Sequence, residues 1–108
     1  MREEAAVPVE LHESSPGQYV VRGPLTFATA RLARETGLAV FGSANSRDLQ
    51  VDCSGITASD SAGMTVLLDW LSYARQNGRS LHYGNLPDQV QAVAHISDAL
   101  ELLEKGVA

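Results

Sequence analysis

The chain has 108 residues, of which 44% are hydrophobic and 19% charged, so its composition is that of one globular domain rather than a disordered segment. Thirteen acidic against eight basic residues give a net charge of −5, which argues against a nucleic-acid binder and a cationic membrane-surface protein. Cys53 is a lone cysteine and the first residues contain no apolar run, so we expect a cytoplasmic protein with no secretory signal or membrane-spanning helix.

The first elements of the chain predict a β-hairpin. Apolar residues alternate over 7–13, with Val7, Val9 and Leu11 on one face. Residues 14–17 are turn formers, and β-prone residues then resume over 18–21. Two short strands separated by a turn indicate antiparallel pairing, and the Gly-Pro pair at 23–24 is expected to end the second strand.

The hairpin is followed by a predicted helix. Thr26 is expected to cap a helix that starts at Phe27, with Phe27, Ala30 and Ala33 on its buried side. Gly37 either ends this helix or interrupts it, because the residues after Gly37 are apolar enough to continue the helix.

Two further elements have the clearest patterns. Residues 48–54 alternate strictly, which predicts a strand with Leu49, Val51 and Cys53 pointing into the core. After a polar loop, apolar residues recur at helical spacing over 63–77, and Asn77 followed by glycine predicts the C-cap. The expected core stripe of this helix consists of Met64, Leu67, Leu68, Leu71 and Ala74.

The remaining residues predict a strand over 80–84, a third helix that begins near Pro87, and a short final element over 98–103. The resulting order is β-β-α-β-α-β-α. Strand–helix–strand units favour parallel pairing, whereas the opening hairpin is antiparallel. We therefore expect an α/β, two-layer domain over 1–108 with a core of about 7–103 and frayed termini, in which helices pack on one face of a mixed β-sheet.

The segment from Ser54 to Gly63 is the most promising place for function, because it leaves a strand and enters the N-terminus of a helix. It contains four hydroxyl side chains, one carboxylate and two glycines. The unpaired N–H groups and positive dipole of a helix N-terminus suit an anion or a polar contact. Asp60 or Ser61 is expected to cap the helix, and the capping residue can also contact a partner.

The run from Val51 to Met64 resembles the signature of STAS domains: an apolar strand ending in Asp-x-Ser, a short loop, and Asp-Ser/Thr-x-Gly opening a helix. The hairpin, the Gly-x-Leu at 23–25 and the strand at 81–83 followed by Gly-Asn-Leu agree in order and spacing, so the resemblance covers about 7–103. It implies a non-enzymatic, cytoplasmic interaction module without cofactor or metal.

Two groups within this family imply different partners. In anti-sigma-factor antagonists the phosphoacceptor is the second residue after the aspartate, but this position is Ala62, which cannot accept phosphate. Subunits of the MlaB type, which bind the ATPase of the Mla phospholipid-transport ABC complex, carry a hydroxyl residue and then a small one, as in Ser61 and Ala62. The resemblance favours such a subunit, held at the bacterial inner membrane only through its ATPase partner. The alternative is an antagonist that binds an anti-sigma factor kinase, with Ser61 as phosphoacceptor or with no switch.

A second stripe on the helix over 63–77 is formed by Val66, Trp70 and Tyr73 at i, i+4 and i+7 spacing. The stripe either packs beneath the third helix or the chain ends, or forms a partly exposed aromatic patch that anchors an interface. Taken with the resemblance, the predicted partner-binding residues are Asp60, Ser61, Ala62, Gly63, Thr65, Trp70 and Tyr73.

Enzymatic and metal-binding readings of the sequence are weaker. The run over 59–63 superficially resembles the nucleophile elbow of serine hydrolases, but its first glycine is replaced and that fold needs about twice this length. The three histidines, His12, His82 and His95, lack ligand spacing, and Cys53 alternates with core residues, which predicts a buried thiol. The sequence contains no nucleotide-binding P-loop, so any ATP site belongs to the partner.

Overall fold

The computed structural model describes residues 9–96, which form a mixed four-stranded sheet and three helices. The elements are β1 (Glu10–Ser15), β2 (Gln18–Leu25), α1 (Ala30–Gly42), β3 (Asp48–Ser59), α2 (Ser61–Gln76), β4 (Ser80–Gly84) and α3 (Asp88–Ile96). The sheet order is β1-β2-β3-β4, antiparallel between the first two strands and parallel between the others. The predicted fold class and element order are confirmed, and the final element expected over 98–103 lies outside the described residues.

The core lies between the sheet and the helices. Alternate side chains of β2, β3 and β4 are buried, among them Leu49, Val51 and Cys53, as the alternation predicts. The residues between them are exposed, such as Gln50 and Ser54, or half-buried, such as Asp52. Within 9–96, helices therefore cover one face of the sheet and leave the opposite face open, which is the expected two-layer arrangement.

The turn of the hairpin is shorter than predicted. Ser14 and Ser15 belong to β1, and only Pro16 and Gly17 connect the strands. Gly17 has a φ of +79°, the left-handed conformation that tight hairpin turns favour, and the Ser14 hydroxyl donates to the Gln18 carbonyl across the turn. Two residues thus suffice where four turn formers suggested a longer loop.

The second and third strands both run further than predicted. β2 continues through Pro24 to Leu25, and β3 continues past Ser54 to Ser59 because the two extensions pair with each other in parallel. Among the described residues β1 pairs with β2 no further than Arg22, so the missing N–H of Pro24 costs no hydrogen bond on that side. The expected polar loop after residue 54 is therefore largely strand.

The first helix begins later than predicted. Its N-cap is Thr29, and the Thr29 hydroxyl accepts from the Thr26 N–H at 3.1 Å and donates to the Pro24 carbonyl at 2.7 Å, which keeps the preceding residues in a tight turn. The prediction that Phe27 lies on the buried side of the helix is wrong, because Phe27 precedes the helix and its side chain is 85% exposed. Gly37 does not end α1.

Candidate functional site

The junction between β3 and α2 is closed by the side chain of Asp60, the N-cap of α2. Its Oδ1 accepts from the backbone N–H groups of Ala62 at 3.0 Å and Gly63 at 3.1 Å, which satisfies two donors that a helix start leaves unpaired. Its Oδ2 accepts from the N–H of Phe27 at 3.0 Å. One carboxylate therefore fixes both the start of α2 and the loop that leads into α1.

These hydrogen bonds also set the protonation of the cap. The backbone N–H groups of Phe27 and Gly63, with a smaller contribution from Ala62, hold the pKa of Asp60 below its usual value. The carboxylate is thus ionised at neutral pH and its acceptor positions face donors from this chain. Asp60 shapes the site rather than offering a free charge to a ligand.

Gly63 lets α2 approach the sheet closely. A Cβ atom at this position would lie 1.8 Å from the carbonyl oxygen of Leu25, the last residue of β2. The glycine is buried, so its place in the predicted site is that of a packing contact beneath the surface.

The hydroxyl groups at the start of α2 face outward. Ser61 and Thr65 are exposed, and the Thr65 hydroxyl donates to the Ser61 carbonyl at 3.0 Å. Among the hydrogen bonds of the described residues, the Ser61 hydroxyl takes part in none, because Asp60 supplies the cap. Ala62, between the cap and the helix body, is half-buried. The alternative that Ser61 serves as the cap is therefore wrong.

The aromatic stripe of α2 is internal. Trp70 is fully buried and packs edge-to-face against Phe41 of α1, with ring centroids 5.5 Å apart. A Cβ on Gly37 would lie 2.0 Å from the indole Nε1, so this glycine lets α1 lie directly on the ring. The prediction that Trp70 lies in an exposed patch is wrong, and the helix that covers it is α1 rather than α3. Tyr73 is half-buried beside Gly42.

The exposed aromatic side chain of this region is Phe27, which sequence reasoning missed. It forms one wall of a groove of about 490 Å³ between α1 and α2, whose remaining apolar lining comes from Ala30, Ala62 and Val66. The Asp60 hydrogen bond that fixes its backbone joins residues 33 positions apart, so no local pattern could have revealed the exposed ring. Phe27 thus lies at the same edge of the domain as Ser61 and Thr65.

A protein-family model described as "Mlab, STAS domain" matches residues 12–104. The chain belongs to the STAS domain family. STAS domains mediate protein–protein interactions and are in general binding and regulatory modules rather than catalysts. A search of curated protein sequences finds no match to this STAS domain.

Solved structures share the fold of this STAS domain. The anti-sigma factor antagonist SpoIIAA in its unphosphorylated form is 15% identical with a TM-score of 0.68, over 86% of this chain and 83% of that one. A sulfate transporter family protein from Wolinella succinogenes is 18% identical with a TM-score of 0.63, over 82% and 70%. The murine anion transporter Slc26a9 is 26% identical with a TM-score of 0.60, over 77% of this chain but 14% of the transporter.

Other chemistries find little support in the part of this STAS domain that the structure describes. Burial raises the pKa of the Cys53 thiol to about 12, so Cys53 is a core residue, as predicted, and not a nucleophile. No group of three or more His, Cys, Asp or Glu side chains over 9–96 is placed to hold a metal ion. Over the same range, no helix is both long and apolar enough to cross a bilayer.

The pH dependence of stability tests the role given to Asp60. Because the folded state lowers its pKa, the carboxylate stabilises the fold above the unfolded pKa of about 3.9, and this contribution is lost as pH falls through the folded value. Asp60→Asn retains one oxygen for the helix start but places an N–H₂ group against the Phe27 N–H or gives up the cap. We expect a loss of about 1 kcal/mol at pH 7 that shrinks at pH 3. Urea unfolding at both pH values measures it, and an equal loss at both would contradict the assignment.

Proposed function

We propose that this STAS domain is a non-enzymatic subunit that binds the ATPase of an Mla-type phospholipid-transport ABC complex, and so helps to maintain the lipid asymmetry of the bacterial outer membrane. In this proposal the domain is cytoplasmic and reaches the inner membrane only through its partner. It carries no cofactor of its own, since the partner supplies the nucleotide site. The partner-binding surface is the edge of the domain around the start of α2.

The observation that carries the proposal is that Asp60 and Ser61 have different roles at the start of α2. Because Asp60 supplies the cap, the exposed hydroxyl of Ser61 is free to contact a partner. The small Ala62 follows it, which is the order of the MlaB type and leaves no phosphoacceptor at the position that antagonists use. The description of the matching family model, which names Mlab, supports the same reading.

The predicted site residues contribute to this surface in two ways. Ser61, Ala62 and Thr65 are expected to touch the partner directly, and Asp60 and Gly63 hold the backbone that presents them. The sequence predicted that Trp70 and Tyr73 provide the apolar contact. In this proposal Phe27 provides it instead, because Phe27 is 85% exposed and covering it removes a large apolar surface from water. Large exposed aromatic side chains are typical anchors of protein interfaces.

A second candidate function is that of an anti-sigma-factor antagonist. It is favoured by the structural likeness to SpoIIAA, an anti-sigma factor antagonist, whose TM-score of 0.68 is above those of the two transporter proteins described with it. Ala62 argues against the usual phosphorylation switch, so such an antagonist would have to use Ser61 or no switch at all. The two candidates differ in partner, a transport ATPase or an anti-sigma factor kinase.

Co-purification from the native host distinguishes them. We expect the tagged chain to recover an ABC-transporter ATPase subunit in a stable complex that buries about 1,200–2,000 Å² in total. Mass spectrometry of the recovered proteins gives the result, and the Ser61→Asp variant, which keeps the Asp60 cap and Gly63, serves as the control. Recovery of a serine kinase without an ATPase subunit would reverse the ranking of the two candidates.

A further inference from the structure

The side chains that line the groove between α1 and α2 indicate which kind of partner segment fits into it. Phe27 forms one wall, and Ala30, Ala62 and Val66 provide an apolar lining. The ring of Phe27 is 85% exposed although its backbone is fixed by Asp60. An aromatic side chain on a fixed backbone has only two side-chain torsions to lose when it is covered, which favours tight contact.

We propose that this groove binds an amphipathic α-helical segment of the partner, with an aliphatic side chain in the groove and a carboxylate against Arg31. The inference rests on the proposed function for the partner's identity as an ATPase subunit, but not for the chemistry of the segment.

The charges around the groove complement an acidic segment. Arg31 and Arg34 line it against a single carboxylate, Asp69, so its lining carries one positive charge while the whole chain carries −5. Arg34 is held by Asp69 at 3.2 Å, whereas the ion pair of Arg31 among the described residues is with Glu35 on its own helix, with 92% of the Arg31 side chain exposed. Such an exposed pair is weak and exchanges readily with a carboxylate that arrives on a desolvated surface.

The acidic groups nearest the groove are already bonded within this chain, Glu35 to Arg31 among them. Asp60 is the closest carboxylate to the start of α2, and its oxygens already accept from three backbone N–H groups. The dipole of α2 adds partial positive charge at the same edge of the domain. A carboxylate on the partner therefore meets the Arg31 guanidinium here, in exchange for Glu35.

The backbone around the groove favours a helical occupant over an extended one. Apart from Phe27, the lining residues lie on α1 and α2, whose backbone groups are paired within the helices or by the Asp60 cap, so a bound strand finds no sheet edge to extend. A segment docked between two helices has to satisfy its own backbone. An amphipathic helix does this while presenting apolar and acidic side chains on one face.

Photo-cross-linking from Phe27 tests the occupant directly. The photoreactive amino acid p-benzoylphenylalanine replaces Phe27 in the full chain expressed in its host, and the cross-linked peptide is sequenced by mass spectrometry. The matched control places the same amino acid at Arg22, which is exposed on the open face of the sheet. We expect Phe27, and not Arg22, to capture one segment in which aliphatic residues and Asp or Glu recur at helical spacing.

A synthetic peptide of the captured segment then serves as the probe in a titration. Arg31→Glu is expected to weaken its binding about tenfold or more, and Phe27→Ala similarly. Leu32→Ala, which shortens an exposed side chain of α1 that does not line the groove, is expected to change the affinity less than about twofold.

The outcomes separate this inference from the proposed function. Capture of a basic or uncharged segment, of a second copy of this chain, or of nothing at Phe27 would overturn the inference, as would unchanged binding by Arg31→Glu. If an acidic, amphipathic segment is captured from a protein other than an ATPase, the groove inference stands and the proposed function fails. If the ATPase subunit co-purifies but a basic segment is captured, the proposed function stands and the groove inference fails.

Discussion

Gly37→Ala is expected to lower the free energy of unfolding by about 2–3 kcal/mol. The new Cβ would lie 2.0 Å from Nε1 and 2.4 Å from Cε2 of Trp70. The indole is fully buried and also packs against Phe41, so it has little room to move. Helix propensity alone predicts the opposite sign, a gain of about 1 kcal/mol when alanine replaces glycine inside a helix. Urea unfolding therefore distinguishes the clash from the effect of helix propensity by the sign of the change in the free energy of unfolding as well as by its size.

A rescue variant makes this prediction specific. Trp70→Leu removes Nε1 and Cε2, the two indole atoms that lie nearest the new Cβ, so in the Gly37→Ala background it is expected to relieve most of the clash. The double variant should lose less stability than the sum of the two single variants, by about 1 kcal/mol or more. If the two losses add, the Cβ of residue 37 does not meet the indole and the packing of α1 on α2 differs from the one described.

Gly63→Ala is expected to lower the free energy of unfolding by about 3 kcal/mol, because the new Cβ would clash with backbone atoms rather than with a side chain that can move aside. The Cβ would lie 1.8 Å from the Leu25 carbonyl oxygen, so the start of α2 has to move away from β2. That movement also strains the cap, since Asp60 bonds both the Gly63 N–H and the Phe27 N–H. We expect a lower urea midpoint together with weaker partner binding.

Gly84→Ala is the matched control for this variant. A Cβ on Gly84 meets no atom within 4 Å, and this residue ends an edge strand. Its substitution is expected to change stability by less than about 0.5 kcal/mol. A Gly63→Ala domain as stable as the Gly84→Ala domain would show that α2 does not start against the sheet as described.

The sequence predicted elements whose determinants are local. Strict alternation placed Leu49, Val51 and Cys53 in the core, and helical periodicity gave the buried stripe of α2. The boundaries were less predictable because they depend on pairing. β3 runs to Ser59 because β2 extends beside it, and no single-strand pattern contains that information.

The place where β3 passes into α2 was predictable, but the contacts around it were not. The strand-to-helix junction at Asp60 is visible in the sequence because a capping residue and a glycine stand at fixed spacing. Which aromatic side chain is exposed there depends on contacts between distant residues. The lack of a side chain at Gly37 lets α1 lie against Trp70, and the hydrogen bond from the Phe27 N–H to Asp60 holds Phe27 outside the helix. The periodicity of α2 therefore left open whether the tryptophan is exposed, and in the domain Trp70 is buried and Phe27 is exposed.

The most direct test of the proposed function is the titration of a purified Mla-type ATPase subunit with Ser61→Asp. A carboxylate at the start of α2 meets a favourable dipole that offsets the nearby Asp60, so the melting temperature of the domain should hardly change. At a packed interface the same charge loses its water without gaining a partner, so affinity should fall about tenfold or more. Ser72→Asp, at an exposed position further along α2, is the control and should bind as the wild type does. Wild-type affinity for Ser61→Asp, with the fold intact, would contradict a partner surface at the start of α2.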